Sequence, residues 1–147
     1  MIIFSMNKTF KGFEGLQVYQ AARQFRIKIS ALAKTFPEHE MYKLNSQIIR
    51  SSRSVAANIA EGYGRFHYQE FIQFCRQARG SLTETLEHLI CAFDEGYLSE
   101  TALKDFRNDF EDLLKLINGF ISYLQKQKEH EAKQISIATN TTNTTNP

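Results

Sequence analysis

The apolar residues of this 147-residue chain recur at spacings of three and four, which is the period of an α-helix. Four such runs are separated by short polar connections. They predict helices over 14–36, 45–63, 68–95 and from 99 to about 125. Patterns that alternate as in a strand are weak throughout. The chain is therefore predicted to be all-α, with the helices forming an antiparallel up-down-up-down four-helix bundle.

Residues at the ends of these runs predict where the helices begin and stop. Pro37 ends the first helix, because the residue before a proline is pushed out of the α region. Asn45 is placed to cap the second helix, and Ser99 to cap the fourth. Glycines that offer left-handed positions mark two further ends: Gly62 and Gly64 after the second helix, and Gly96 after the third.

The length of the chain suits a single domain. The bundle is predicted over residues 13–125, preceded by an N-terminal extension, residues 1–12, that is partly disordered. Residues 126–147 form a polar tail that ends in NTTNTTNP. A low-complexity polar segment buries too little apolar surface to fold, so this tail is predicted as a fraying helix that becomes disordered.

Charge is distributed unevenly along the chain. The formal net charge is only +2, but residues 1–65 carry +6 and residues 66–147 carry −4. Such asymmetry is typical of a protein that contacts nucleic acid. It is equally explained if the two halves complement each other, within one subunit or between subunits.

The two cysteines and the hydropathy pattern bear on localisation. Cys75 and Cys91 fall on the same predicted helix, about 24 Å apart, which is beyond the reach of a disulfide. Free thiols and the absence of a signal-peptide pattern favour the cytoplasm. Because no run of eighteen apolar residues occurs, no membrane partner is expected.

The second predicted helix carries a narrow polar stripe beside a face of small residues such as Ser51 and Ala56. Small residues allow another helix to approach closely. The stripe itself has three interpretations: a hydrogen-bonded ladder, a nucleic-acid contact, or a catalytic site. At 100° per residue its members fall within an arc of about 80°: Gln47, Arg50, Ser54, Asn58, Glu61 and Arg65.

Catalysis, metal binding and cofactor binding have little support in the sequence. Glu61 has no second carboxylate or histidine at helical spacing to share acid–base chemistry. No Glu-x-x-His pair of the di-iron bundles occurs. The Gly62-Tyr63-Gly64 sequence lacks the G-K-[ST] ending of a phosphate loop. The chain is therefore expected not to be an enzyme and to bind no cofactor.

Several motifs identify a family resemblance that runs from about Phe13 to Leu124. The most specific is KLNSQIIRSSRSVAANIAEGYGR, and softer matches are FEGLQVYQAA, QEFIQFCRQARGSLTE and GYLSE. With these motifs the chain resembles the small bacterial four-helix-bundle proteins associated with the 23S rRNA intervening sequence. Some relatives of that family are accessory proteins of diversity-generating retroelements.

The resemblance implies a ring-like homopentamer of unknown function without enzymatic activity. In the retroelement relatives, it further implies a basic barrel that engages nucleic acid and a reverse transcriptase. Two positions depart from the family pattern. Ala56 replaces a proline inside the second helix, and His67 replaces a Ser or Thr cap before Glu70. The matching motif positions are Arg50, Ser54, Asn58, Glu61, Gly62 and Arg65.

Two functional hypotheses follow. In the first, the chain is a non-enzymatic homo-oligomeric accessory protein that binds RNA, DNA or a nucleoprotein through basic residues of the first two helices. In the second, it is a structural or adaptor oligomer that binds a protein partner without nucleic acid. There, Gln47, Ser54, Asn58, Glu61, Gly62 and Gly64 only lock helices together. The phosphate-binding residues of the first hypothesis are Arg23, Arg26, Lys28, Arg50, Arg53 and Arg65.

Overall fold

The computed structural model describes residues 12–142 of the chain. Within that range it has no strand, so the all-α prediction is confirmed. A 3₁₀ turn precedes each of the first two helices, at Phe13–Gly15 and Glu38–Glu40. The predicted N-terminal extension falls almost entirely on residues 1–11, outside the described residues. The four α-helices are α1 (Gln17–Ala33), α2 (Leu44–Gly64), α3 (Tyr68–Asp94) and α4 (Glu100–Thr142).

The core lies where the apolar stripes of the four helices meet. The most extensive helix contact is between α2 and α3, and the least extensive is between α1 and α4. On α2 the buried stripe includes small residues, among them Ser51, Ser52 and Ala56, so the backbones of α2 and α3 approach closely. Bulky aliphatic side chains fill the centre, and the following are completely covered: Ile29, Ile48, Ile59, Leu82, Leu89 and Ile117.

Two of the predicted helix ends are confirmed by their capping geometry. The hydroxyl of Ser99 accepts a hydrogen bond of 3.2 Å from the backbone N–H of Ala102 in the first turn of α4. After α3, Gly96 has a φ of +78°, and the N–H of Tyr97 donates to the carbonyl of Ala92 at 2.8 Å. That is the arrangement by which a left-handed glycine closes a helix.

The prediction that Asn45 caps α2 is wrong. Its side-chain amide instead donates to the carbonyl of Ala33 at 2.6 Å and ties α2 to the last residue of α1. The helix begins one residue earlier, at Leu44, whose N–H donates to a carboxylate oxygen of Glu40 at 3.2 Å. The Glu38–Glu40 turn brings that carboxylate to the helix start, and the spacing of residues along α2 does not reveal it.

The prediction of left-handed glycines at the end of α2 is also wrong. Gly62 and Gly64 are both helical, and the residue with positive φ is Phe66, at +57°. The side chain of Phe66 is 85% exposed. A left-handed conformation costs a residue with a Cβ about 1–2 kcal/mol, so the turn between α2 and α3 is strained at this position.

Replacing Phe66 with glycine is expected to stabilise the protein, by about 0.5–1 kcal/mol. Glycine adopts the left-handed region without a steric cost, and little apolar burial is lost with such an exposed ring. The matched change in the opposite direction is Gly96→Ala, which places a Cβ at φ +78° and is expected to destabilise by about 1 kcal/mol. Urea unfolding of both variants measures the two shifts, and shifts of equal sign would contradict this account.

The last helix continues beyond the apolar pattern of the bundle. The sequence predicts a fraying helix from residue 126, and α4 extends through Thr142. Residues 143–147, which carry the predicted disordered end of the tail, lie outside the described residues. Lys128 of α4 donates to the side chain of Gln69, the second residue of α3, at 2.6 Å. The fourth helix therefore extends past the point where α3 begins.

Candidate nucleic-acid interface

A basic groove runs along the surface between α1 and α2 and has a volume of about 380 Å³. Arg23 and Arg26 line it from α1, together with Lys34, the residue that follows the last residue of α1. Arg53 faces these three side chains from α2. Arg23, Arg26 and Lys34 lie on one stripe of α1, since residues three, four, seven and eleven positions apart face the same way. The apolar and small residues between the cations are Ile27, Ser30 and Ala31.

The cations of this basic groove form no ion pair with the described part of the chain. None of its lining residues is acidic. Across residues 12–142, none of the ion pairs involves its four cations. Among residues 12–142, the buried Nε atom of Arg26 has no hydrogen-bond partner. A buried donor without a partner costs free energy, and an anionic ligand in the groove would offer an acceptor.

Lys28 lies apart from the basic groove, on the side of α1 that faces α4. Its ammonium forms an ion pair with Asp109. The same ammonium lies 5.9 Å from the centre of the Phe106 ring, within the range of a cation–π contact. The structure thus places this predicted phosphate-binding residue in an interhelical contact of the bundle.

Arg50 and Arg65 also have partners within the chain. A guanidinium nitrogen of Arg50 lies 4.0 Å from a carboxylate oxygen of Glu84, a loose pair in which the arginine side chain is 77% exposed. Arg65 donates to Glu61 at 2.7 Å, four residues earlier on α2, and its guanidinium lies 5.2 Å from the Phe74 ring. Of the six predicted phosphate-binding residues, the structure therefore brings together Arg23, Arg26 and Arg53.

The polar stripe of α2 forms a hydrogen-bonded ladder toward α3. The side chain of Asn58 donates to the carbonyl of Ser54 at 2.8 Å, and the Ser54 hydroxyl lies 2.9 Å from that of Ser81 on α3. One turn away, the buried hydroxyls of Ser51 and Thr85 lie 2.9 Å apart. Buried hydroxyls need partners, so these pairs fix how the two helices face each other.

At Gly62 the end of α2 lies close against the start of α3. A Cβ at this position would lie 2.5 Å from Cδ2 of Phe71 and 2.8 Å from Cβ of Phe74. Gly64, two residues later, has nothing within 4 Å of its own Cβ position. Gln47, at the other end of the stripe, is exposed. Gly62 is thus a packing position, and Gly64 and Gln47 lie at the surface.

Lys34 is the residue of the basic groove that the sequence analysis missed. A usable signal existed, because Lys34 follows Arg23 by eleven residues, three helical turns on the same face. Its position beside the predicted end of the first helix hid this spacing. The groove thus contains four cations, one of which lies at the helix terminus.

Outside the basic groove, burial shifts the pKa of titratable groups in the described chain. Burial raises the pKa of the Cys75 thiol to about 12. Burial, followed by a hydrogen bond to Glu40, raises the pKa of Tyr97. Between residues 12 and 142, no cluster of three His, Cys, Asp or Glu side chains is placed to hold a metal ion. Nor does any helix in that range combine the length and apolar character needed to cross a bilayer.

Comparisons with known proteins place this geometry in context. Residues 14–119 match the family model described as 23S rRNA-intervening sequence protein. Among solved structures, the chain is similar to a protein of unknown function from the S23 ribosomal protein family of Bacteroides thetaiotaomicron. The two share 24% identity and a TM-score of 0.66 over 71% of this chain and 95% of that one, a likeness of fold. No curated protein matches the chain.

Proposed function

The chain belongs to the 23S rRNA-intervening sequence protein family, and on that premise we propose that it is a non-enzymatic accessory protein that binds RNA or DNA through the basic groove between α1 and α2. The observation that carries this proposal is a concave surface with four cations and no carboxylate in its lining. The other cations of the sequence hypothesis, Lys28, Arg50 and Arg65, have carboxylate neighbours and are assigned supporting roles at most.

The side chains of the basic groove favour contacts with the phosphate backbone over contacts with bases. Arg23, Arg26, Lys34 and Arg53 donate only, so they suit phosphate oxygens. No aromatic side chain from residues 12–142 lines the groove, and stacking on aromatic rings is how unpaired bases are commonly held. Phosphate contacts position a nucleic acid without reading its sequence. Binding is therefore proposed to depend strongly on salt and weakly on sequence.

The finer architecture is part of the proposal as well. When two helices are antiparallel, the residue numbers of their contact pairs increase along one helix and decrease along the other. Hydrogen-bonded pairs with this pattern support an antiparallel up-down-up-down order. On α2 and α3 these pairs are Ser51 with Thr85 and Ser54 with Ser81, and on α3 and α4 they are Gln69 with Lys128 and Arg79 with Asn118.

A ring-like homo-oligomer, a pentamer by resemblance, is the proposed assembly. It is supported by the opposite charges of the two halves of the chain, which allow subunits to attract each other. A ring would also repeat the basic groove once per subunit and so multiply its phosphate contacts. A native mass equal to that of one chain would contradict this part of the proposal.

The adaptor hypothesis is the second candidate, and the ladder between α2 and α3 favours it. Asn58, Ser54 and the Ser51–Thr85 pair engage one another or α3, so the family motif needs no external ligand to explain it. Under this hypothesis the partner is a protein, and the basic groove meets an acidic protein surface.

Titration against labelled duplex DNA and a labelled RNA hairpin separates the two candidates. We expect the protein to bind both at about 50 mM salt. The logarithm of the binding constant falls with the logarithm of salt concentration, with a slope of about −0.9 for each phosphate contact. If the four cations contact four phosphates, affinity therefore falls roughly a hundredfold by about 200 mM salt. If neither probe binds at the lower salt, the nucleic-acid proposal is wrong and the adaptor hypothesis stands.

A further inference from the structure

The turn between α2 and α3 holds an exposed aromatic ring on a strained backbone. Phe66 has a φ of +57° and is the one residue other than glycine with a positive φ in residues 12–142. Its side chain is 85% exposed, so burial of the ring does not offset the cost of this conformation. Strained positions of this kind cluster at functional sites. The ring of Phe66 is therefore a candidate for contact with a ligand.

A chain of ring contacts joins Phe66 to the start of the basic groove. The centres of the Phe66 and Tyr63 rings lie 6.4 Å apart, and the Tyr63 ring lies 6.3 Å from that of Phe13. Phe13 makes an edge contact with Tyr19 of α1 at 4.8 Å. One helical turn after Tyr19, Arg23 is the first residue of α1 that lines the basic groove. The four rings thus connect α1 and α2 beside the groove, and Phe66 is the exposed ring among them.

The outer face of α2 between the basic groove and Phe66 carries only small side chains. At 100° per residue, Ala57, Ala60 and Gly64 fall within about 40° of the direction of Arg53. Ala57 and Gly64 are exposed, and Gly64 has nothing within 4 Å of its Cβ position. The path from Arg53 to Gly64 is about 17 Å long. A strand that leaves the groove therefore meets no bulky side chain of these residues on its way to Phe66.

An unpaired nucleobase is the ligand that fits this combination. The basic groove offers donors for phosphates, and an exposed ring next to a phosphate-binding surface is how proteins hold unpaired bases, since every base has a flat π face. In a duplex, neighbouring base pairs cover those faces, so a duplex would use the groove alone. A protein partner would need a wider apolar surface, whereas the exposed neighbours of Phe66 in the chain are the polar residues Arg65 and His67.

We propose that Phe66 stacks on an unpaired base of a nucleic acid whose phosphates lie in the basic groove. The substrate class is then a duplex that continues into a single strand. This inference rests on the proposed function of the groove. A stacked strand advances about 3.4 Å per nucleotide, so about five unpaired nucleotides cover the path along α2. An overhang of about eight nucleotides therefore reaches the ring, whereas a single unpaired nucleotide does not.

Fluorescence anisotropy with three DNA probes tests this inference. The probes are a blunt duplex of about 20 base pairs, the same duplex with one unpaired nucleotide, and the same duplex with an overhang of about eight. We expect the native chain to bind the long overhang about tenfold more tightly than the other two probes. Phe66→Gly should lose that gain and bind the blunt duplex within about twofold of the native chain, whereas Phe66→Tyr should keep the gain.

The control variant is Tyr42→Gly. Tyr42 is 90% exposed and lies in the turn before α2, at the opposite end of that helix from Phe66. It should bind all three probes as the native chain does. Because Phe66→Gly is expected to be more stable than the native chain, weaker binding by this variant cannot be attributed to unfolding.

Several results would overturn the stacking proposal. They are an unchanged preference for the long overhang in Phe66→Gly, an equal loss in Tyr42→Gly, and an equal loss of blunt-duplex binding in Phe66→Gly. If the native chain binds the blunt duplex but gains nothing from the overhang, the basic groove keeps its proposed function and only the role of Phe66 is wrong. If the native chain binds none of the probes, the proposed function fails and this inference fails with it.

Discussion

Replacing Gly62 with alanine is expected to destabilise the protein by about 2 kcal/mol. The new Cβ would lie 2.5 Å from Cδ2 of Phe71 and 2.8 Å from Cβ of Phe74. The Phe71 ring can rotate away, but Cβ of Phe74 is attached to the backbone of α3, so α2 and α3 must separate. Overpacking of this kind costs about 1–3 kcal/mol. Because the contact is with the backbone-attached Cβ, we expect a cost at the upper end of that range. The higher helix propensity of alanine offsets about 1 kcal/mol of this cost, which leaves a net loss of about 2 kcal/mol.

Gly80→Ala is the matched control for this prediction. Gly80 is also helical, within α3, but has nothing within 4 Å of its Cβ position and no positive φ. Only the propensity term remains there, so alanine is expected to stabilise by about 0.5–1 kcal/mol. Urea unfolding of both variants gives the comparison. If Gly62→Ala were as stable as Gly80→Ala, the close approach of α2 and α3 at Gly62 would be disproved.

Reversing two charges of the basic groove, Arg23→Glu with Arg53→Glu, is expected to lower affinity for duplex DNA roughly a hundredfold. Each arginine faces the groove from a different helix, so the variant removes a phosphate contact on each side. A contact with a charged group contributes about 1.5–3 kcal/mol, and each 1.4 kcal/mol is a factor of ten. Fluorescence anisotropy at constant salt measures the change.

The control for this double variant is Arg76→Glu with Arg107→Glu. Arg76 lies on α3 and Arg107 on α4, and both are exposed and outside the basic groove. The control lowers the net charge by the same amount, so it isolates position from overall charge. We expect it to weaken binding by less than about fivefold, through long-range attraction alone. Equal losses in the two double variants would assign binding to net charge and remove the basic groove from the account.

The sequence predicted the helices best where the residues that start or end them are neighbours in the chain, whereas α1 spans Gln17–Ala33 and not the predicted 14–36. The start of α3 at Tyr68, its end before Gly96 and the Ser99 cap of α4 each depend on a few neighbouring residues. The positions that were predicted wrongly depend on contacts between segments. Asn45 reaches the end of α1, and the left-handed residue after α2 is Phe66, whereas Gly62 and Gly64 are both helical.

The sequence predicted that the candidate site is positively charged, but it did not predict which residues form the site. It placed cations on the first two helices without showing which of these cations pair with carboxylates. The partners of Lys28 and Arg50 lie on other helices, at Asp109 and Glu84, so only tertiary packing pairs them. The pair of Arg65 with Glu61 was accessible from sequence, because a spacing of four residues joins them on one helix face.

The salt dependence of binding is the most direct test of the proposed phosphate contacts. The logarithm of the binding constant for duplex DNA would be measured against the logarithm of salt concentration, for the native chain and for Arg23→Ala with Arg53→Ala. With four phosphate contacts the native slope is about −3.6, and removal of two contacts should bring it to about −1.8. A slope that stays at its native value in the variant would show that Arg23 and Arg53 touch no phosphate, and the proposed function of the basic groove would be wrong.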